Sequence, residues 1–459
     1  MSATVVLTEA VYEELLGLAC APVESAAVLL AHVVGSHPAR PRLVVTAVHH
    51  VDEDAYLTRD HKQLEITSEG YMHALAVAAQ TGTTAIWIHT HPGAGSCVSS
   101  SEHDDIVNEQ LRQVFALRTG SGAYTWLVLG HDGARLTFTG AHESDTGAWV
   151  QVTRLNAIGA SIRRLSAQDA EDDGVPDLFD RNIRALGTEV QKVITEMVFV
   201  VVGCGGTGSA VAEQLVRLGA RHLILIDPDV LSETNTTRVY GSTADDVGRP
   251  KVDVLGDHLG RIAPSLSLTR IQDTVNTEGT ARALLDADVV FGCTDDNAGR
   301  LRLSRLPYYY RVPVIDCGVK LDSDAEDIIN GIFGRITVLH PGTACLLCRE
   351  RVDIQLAAAE LRDPDEQRRL EGEHYAPALP GVEPALVAFT TMVAAYAVSE
   401  LIERLIGYGE SPTPSELLLR VHDRTVSANV EDPSPGHYCD PATPPEHDPD
   451  MFLGLNWTA

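Results

Sequence analysis

The stretch "EMVFVVVGCGGTGSAVAEQLVRLGARHLILIDPD", residues 196–229, decides the fold of the larger part of this chain. It opens on a run of β-branched and aromatic residues and passes through a glycine-rich turn. Helical spacing follows, then a second apolar run ending in Asp227. Strand, turn, helix, strand over this length is what a parallel crossover needs. Further strands are expected at "DVVFGCT" and "VPVIDCG", so residues 176–430 read as a doubly wound, Rossmann-like α/β sheet. Gly203, Gly205, Gly206 and Gly208 let the backbone turn tightly and approach a phosphate at a helix N-terminus. That spacing alone serves NAD, FAD, SAM and ATP alike, and the residues after it narrow the choice. Asp227 closes its strand where ribose hydroxyls are usually received. Asn235 and Arg238 follow in "LIDPDVLSETNTTRV", Lys251 in "VGRPKVD" and Asp295 in "FGCTDDN". An arginine, a lysine and an acid converging on one crevice suit a triphosphate with Mg²⁺ better than a nicotinamide.

Outward from this unit, the whole chain has 459 residues, of which 44% are hydrophobic. Two or three domains are expected at that length. The net charge of −29 opposes binding to nucleic acid or to an anionic membrane. Eight cysteines are scattered, with one close pair at Cys345 and Cys348, which points to a reduced, cytoplasmic protein rather than a disulfide framework. The opening residues lack a basic n-region, so no signal peptide is expected. The apolar run at 385–398 is too short for a membrane span and continues into "SELIERL", so a buried helix is expected there.

The first 140 residues read as a mixed α/β domain. "TEAVYEELLGLA" has helical spacing with Thr8 as its cap, and "SEGYMHALAVAAQ" reads as a second helix. "SAAVLLAHVV", "PRLVVTAVHHV", "TTAIWIHT" and "AYTWLVLG" read as strands. Residues 141–175 turn polar and acidic and are expected to be a linker; the Pro- and Asp-rich residues 431–459 are expected to be a tail.

Within the first domain, "WIHTHPGAGSCVSSSEHDD" (87–105) sets His89 and His91 two apart at a strand end. Imidazoles at that spacing share one face and could share one metal. Asp104, early in the helix "EHDDIVNEQL", is the natural third ligand, with Glu102 and Asp105 as alternatives. Three protein ligands and an open position is the arrangement of a catalytic zinc. Such a site also needs a carboxylate to shuttle a proton and a donor for the developing oxyanion.

The pattern H-T-H-P followed by S-x-x-D resembles the JAMM motif of the JAB/MPN metalloproteases, and "APVESAAVLLAHVV" (21–34) resembles that family's upstream glutamate segment. The resemblance implies His89, His91 and Asp104 as zinc ligands, Glu24 as general acid/base and Ser101 as oxyanion donor. It implies cleavage after the C-terminal glycine of a ubiquitin-like protein. The loop from His91 to Ser101 is longer than usual in that family; the strict spacing would select Ser99 and Glu102. The segment from about 176 to 425 resembles the ThiF/MoeB/HesA superfamily, which includes the ubiquitin-activating enzymes. "FDRNI", "GCGGTGS", "IDPDV…TNTTR", "GRPK" and "CTDDN…R" carry this resemblance. It implies Gly203, Gly205, Gly206, Gly208, Asp227 and Asp229 around ATP. Asn235, Arg238 and Lys251 would contact phosphates, the last two also acting catalytically. Asp295 would hold Mg²⁺, chosen over Asp296 for its offset to Arg300. Arg181 would reach into the site of a second subunit, so a homodimer is implied. The implied reaction is adenylation of the C-terminal glycine of a ubiquitin-like protein.

Cys345 and Cys348 also fit half of a structural zinc site. A second C-x-x-C is absent near the C-terminus, where only His437 and Cys439 are on offer. The segment 352–384, where the superfamily's thioester-forming cysteine would fall, holds no cysteine. Cys293 and Cys317 read as core residues. The expected function is therefore processing and adenylation of a ubiquitin-like modifier in a bacterial-type conjugation pathway, with a conjugating enzyme as partner. The alternatives are sulfur-carrier activation with a sulfur donor as partner, and a modifier-binding scaffold without catalysis.

Overall fold

Strict alternation is missing from the central strands of the first unit because both of their faces are covered. The computed structural model describes residues 2–35, 40–167, 176–323, 329–372, 377, 384–409 and 411–443. Parts of the expected linker (168–175) and tail (444–459) lie outside them. The chain divides into two compact units, Met1–Asp173 and Gly174–Ala459.

The first unit runs β1 (Ser2–Thr8), α1 (Glu9–Ala19), β2 (Ala26–Val34), β3 (Arg42–His50), β4 (Tyr56–Arg59), β5 (Leu64–Ile66), α2 (Glu69–Thr81) and β6 (Thr84–Thr90). It continues with α3 (Glu102–Thr119), β7 (Tyr124–His131), β8 (Leu136–Glu143), β9 (Trp149–Ile158) and β10 (Ile162–Ser166). Eight strands form one sheet in the order β1-β3-β2-β6-β7-β8-β9-β10, and β1 also pairs in parallel with β9, which closes the sheet into a barrel. Along β2, Ala27, Leu29 and Ala31 enter one core with α1, whereas Ala26, Val28 and Leu30 enter another with Leu75 of α2 and Phe115 of α3. A strand buried on both faces reads as a continuous apolar run, as this one does. Thr8 caps α1 as expected, accepting from the Val11 N–H.

The expected linker is a correction. Residues 149–166 form β9 and β10, and β9 supplies the closing partner of β1. Polar outward residues of these strands masked an inward set that includes Val152, Leu155 and Ala157.

The second unit runs α4 (Asp180–Leu186), α5 (Thr188–Glu196), β11 (Val198–Val202), α6 (Gly206–Arg217), β12 (His222–Ile226), α7 (Lys251–Ile262), β13 (Ser267–Ile271), α8 (Glu278–Ala283) and β14 (Val289–Gly292). After these come α9 (Asn297–Leu303), α10 (Leu306–Tyr310), β15 (Val314–Ser323), β16 (Ile329–Leu339), α11 (Ile354–Glu360), α12 (Pro364–Gly372), α13 (Val387–Ile406), β17 (Glu416–Arg420) and β18 (Thr425–Asn429). The sheet order is β13-β12-β11-β14-β15-β16-β17-β18. Its first five strands are parallel, and the last three continue beyond β15 with each strand antiparallel to the one before it. Order reverses between β11 and β14, and a crevice opens there beyond the strand ends.

Close packing fixes the glycine turn. Gly203 has φ +90, and a Cβ on Gly208 would lie 1.8 Å from the Gly203 carbonyl oxygen, so α6 can start only where it does with hydrogen at that position. The apolar run at 385–398 lies in α13, with Val393, Ala394, Ala397 and Leu401 buried. Among the described residues, no helix is long and apolar enough to cross a membrane. Within the expected tail, Cys439 is buried beside Cys345 and Tyr308, so residues 431–443 are tied to the second unit.

Candidate functional site

In the second unit a cleft of ≈ 1330 Å³ lies over the C-terminal ends of β11, β12 and β14. Small-molecule sites commonly run to about 1,000 Å³, so there is room for more than a nucleotide. One end of it is built from backbone. Helix α6 begins here with Gly205 at its N-cap and no side chain capping it, so its first N–H groups are open. A Cβ on Gly205 would meet nothing within 4 Å, whereas Gly206 is packed under Thr390 and Arg238. An uncapped helix start facing a cleft suits an anion.

Asp227 ends β12 almost fully buried. It accepts from the Cys204 N–H at 2.6 Å and the Asp229 N–H at 2.9 Å. Burial raises its carboxyl above the ordinary aspartate range, against the pull of Lys251 and those two N–H groups. Lys251 Nζ lies 2.7 Å from Asp229 and 3.9 Å from Asp227. Gly203, Gly205, Gly206, Asp227, Asp229, Arg238, Lys251 and Asp295 all line this cleft. Asp296 is spent elsewhere: it caps α9 through the Gly299 N–H and receives the Thr294 hydroxyl. Asp295, one residue earlier, stays exposed in the cleft, where a divalent cation could use it.

Three expected residues, Asn235, Arg181 and Gly208, fall outside the lining. Asn235 closes a capping box with Ser232, accepting its N–H at 3.1 Å, so the short helical turn and not the cleft holds this side chain. Arg181 is exposed on α4. Gly208 serves packing, as above. Cys317 is buried in the core as expected and Cys293 is half-buried, and both border the cleft; their mutual hydrogen bond and burial push the Cys293 thiol up.

The first unit collects His89, His91 and Asp104. Strand β6 ends at Thr90 and pairs with β2 so that His89 faces Ala26. The His91 N–H donates to the Leu129 carbonyl at 2.8 Å, which fixes the ring beyond the strand. The two Nε2 atoms are 3.2 Å apart; Asp104 Oδ1 lies 3.1 Å from His89 and Oδ2 3.3 Å from His91. A tetrahedral zinc with bonds of about 2.0–2.1 Å sets nitrogen and oxygen ligands roughly 3.3 Å apart, so this triangle fits one. Burial would raise the Asp104 carboxyl, but hydrogen bonds from His89 and His91 outweigh it and hold it well below the carboxylate range. Glu102 and Asp105 do not join the cluster. Ser101 caps α3: its hydroxyl accepts from the Asp104 N–H at 3.2 Å and its own N–H donates to Asp104 Oδ2 at 2.7 Å. The hydroxyl proton is not used by that box.

Glu24 is 7% exposed, just before β2. Burial raises its carboxyl, while His91 and His89 pull it down. Sequence reasoning missed what holds it. The Glu24 N–H donates to the Asp60 carbonyl at 2.7 Å, Arg59 Nε donates to the Glu24 carbonyl at 2.9 Å, and Arg59 also reaches Ser25 Oγ at 2.6 Å. Arg59 and Asp60 close the β4–β5 hairpin, and nothing local in "YLTRD" announces a contact thirty-five residues back.

A third cluster joins Cys345 and Cys348 to His437 and Cys439. Cys345 Sγ and Cys348 Sγ lie 3.5 and 3.4 Å from His437 Nδ1, Cys439 Sγ is 3.3 Å from that atom, and Cys348 and Cys439 are 3.5 Å apart. Zn–S bonds of about 2.3 Å and Zn–N bonds of about 2.0 Å place tetrahedral ligands roughly 3.5–3.8 Å apart, so these four also fit a zinc.

Comparison with known proteins bears on the second unit. Residues 179–435 match the ThiF family. The chain is 26% identical over 232 residues to the molybdopterin-synthase adenylyltransferase of Escherichia coli K12, covering 50% of this chain and 80% of that protein. It is 30% identical over 173 residues to tRNA threonylcarbamoyladenosine dehydratase 1 of Saccharomyces cerevisiae, covering 36% and 40%. It is 32% identical over 151 residues to the sulfur carrier protein ThiS adenylyltransferase of E. coli K12, covering 33% and 56%. The last two matches therefore span about half or less of those relatives. The crystal structure of E. coli MccB with ATP aligns with a TM-score of 0.44 at 20% identity, over 59% of this chain and 76% of that one.

Proposed function

The chain belongs to the ThiF family, and from that premise we propose that its second unit is an ATP-dependent adenylyltransferase acting on the C-terminal glycine carboxylate of a ubiquitin-like or sulfur-carrier protein. The observation that carries this reading is the joining, in one cleft, of an uncapped helix start, a buried acid at the end of β12, two cations and an unspent carboxylate. Asp227 holds the ribose, and the N–H groups from Gly205 onward hold phosphate. A divalent cation at Asp295 would offset phosphate charge. Arg238 and Lys251 stabilise charge on the leaving pyrophosphate as the carboxylate oxygen bonds to the α-phosphorus. One P–O bond forms, one breaks, and the acyl-adenylate remains. Lys251 would exchange its present Asp229 partner for phosphate.

The first unit is proposed to be a JAB/MPN-type metallopeptidase that exposes the same carboxylate. His89, His91 and Asp104 would hold zinc, which supplies Lewis acidity when bound. Glu24 moves the proton between water and the leaving amine, and the Ser101 hydroxyl donates to the oxyanion. The Cys345/Cys348/His437/Cys439 cluster is proposed as a structural zinc site. Dimerisation through which Arg181 serves a second subunit, and a conjugating enzyme or a sulfur donor downstream, belong to the same proposal.

ATP–pyrophosphate exchange that depends on a glycine-ended carrier tests the first activity. Lys251→Ala should lower exchange by about 10²–10³-fold; full exchange in that variant refutes the assignment. For the peptidase, Glu24→Gln should abolish cleavage of a carrier fusion while zinc content stays at the wild-type level.

A further inference from the structure

Strands β15, β16 and β17 carry the cleft floor past the point where the parallel strands stop. Their registers stack residues into three rows. Asp316, Thr337 and Glu416 form the inner row; Gly318, Arg335 and Leu418 the second; Lys320, Phe333 and Arg420 the third. Directly opposed residues share a face, as do alternate residues along a strand, so all three rows lie on one surface. The second and third rows line the cleft.

Charge is balanced at the inner end only. Asp316 is fully buried and faces Arg335, with Arg300 at 3.6 Å; Glu416 meets Arg351 at 3.0 Å. In the outer row Lys320 and Arg420 are exposed, and neither meets a carboxylate among the described residues. Between them Phe333 is 37% exposed, with the His422 ring edge-on at 4.8 Å. The nearest acid along the strand, Asp322, begins the next row and does not line the cleft.

Asp316 lies level with Gly292, the last residue of β14. Lys320, four residues on, is thus about 13 Å further along β15. A nucleotide held at Gly205, Asp227 and Lys251 leaves this end of the cleft to the second reactant. We infer that the Lys320–Phe333–Arg420 row reads the incoming tail upstream of its terminal glycine, selecting acidic side chains that flank an apolar one. The inference rests on the adenylation reading above. The chain as a whole is strongly anionic, so an acidic tail is repelled elsewhere and held here, which sharpens its placement.

The test uses the full chain and three synthetic peptides ending in Gly-Gly with a free carboxylate. They differ only at two positions flanking a leucine before the glycines, which carry glutamate, glutamine or lysine. The half-saturating peptide concentration is read in ATP–pyrophosphate exchange. The glutamate peptide is expected to half-saturate about tenfold below the lysine peptide, because two exposed ion pairs are worth little each. The gap should close in high salt. The Lys320→Glu/Arg420→Glu double variant should invert the order. Equal values for the three peptides, or an unchanged order in the double variant, overturn the inference and leave adenylation standing. If none of the peptides supports exchange while ATP still binds, adenylation of glycine-ended tails falls, and the inference with it.

Discussion

Gly208 and Asp227 show how single residues set the nucleotide cleft. Any Cβ on Gly208 meets a backbone oxygen that cannot rotate away. Gly208→Ala is expected to destabilise the second unit by at least the upper part of the about 1–3 kcal/mol range for overpacking, measurable by chemical denaturation. In the proposed reading Asp227 would bind ribose as the carboxylate. Its folded value is raised by burial, so on acidification it gains its proton earlier than an ordinary aspartate. ATP affinity, followed by calorimetry, should therefore weaken as pH falls through that raised value, while an Asp227→Asn variant binds weakly at every pH. Residue-level reading agrees with the placement where a motif held its own geometry: Asp295 lines the cleft with its carboxylate uncommitted, whereas its neighbour Asp296 is used by a helix cap, and Asp104 meets both imidazoles. It failed at Asn235, whose capping box with Ser232 competes for the same side chain. A polar residue beside a helix start has two uses, and spacing does not choose between them.

At the level of elements, the parallel strands and α6 were legible because each carries its own period and the glycine turn joins them in order. The barrel's closing strands were not: β9 and β10 expose polar residues outward, and their partner β1 lies some 150 positions away. The β4–β5 hairpin was likewise unread, yet it clamps the backbone of residues 24–26 through Arg59, Asp60 and Tyr56. Arg59→Ala is expected to lower peptidase turnover by roughly 10²-fold through misplacement of Glu24. Zinc content should be unchanged; Arg59→Lys, which can bond only one of the two acceptors well, should fall between. The cysteine cluster joins a turn at 345–348 to residues 437–439 across ninety positions. Cys348→Ser should remove one of the two zinc ions expected per chain, read by elemental analysis. It should also lower the thermal midpoint of the second unit, since structural zinc contributes directly to folding free energy.

For the molecule as a whole, each unit has its own core and its own cluster of reactive groups. The two proposed activities should therefore separate cleanly: His89→Ala is expected to abolish cleavage and spare exchange, and Lys251→Ala to do the reverse, with both assays run on the same full-length preparations. Loss of both activities from either variant would show that the units do not work independently. The barrel adds a constraint of another kind. Because β1 is a stave wedged between β3 and β9, it must wait during synthesis for a strand some 150 positions later in the chain before it finds its final neighbour. During synthesis it stands as a half-paired edge, open to capture by a nascent chain on the adjacent ribosome. A fusion partner placed ahead of β1 that slows its return would then surface as low yield and entangled multimers, with the second unit still able to fold.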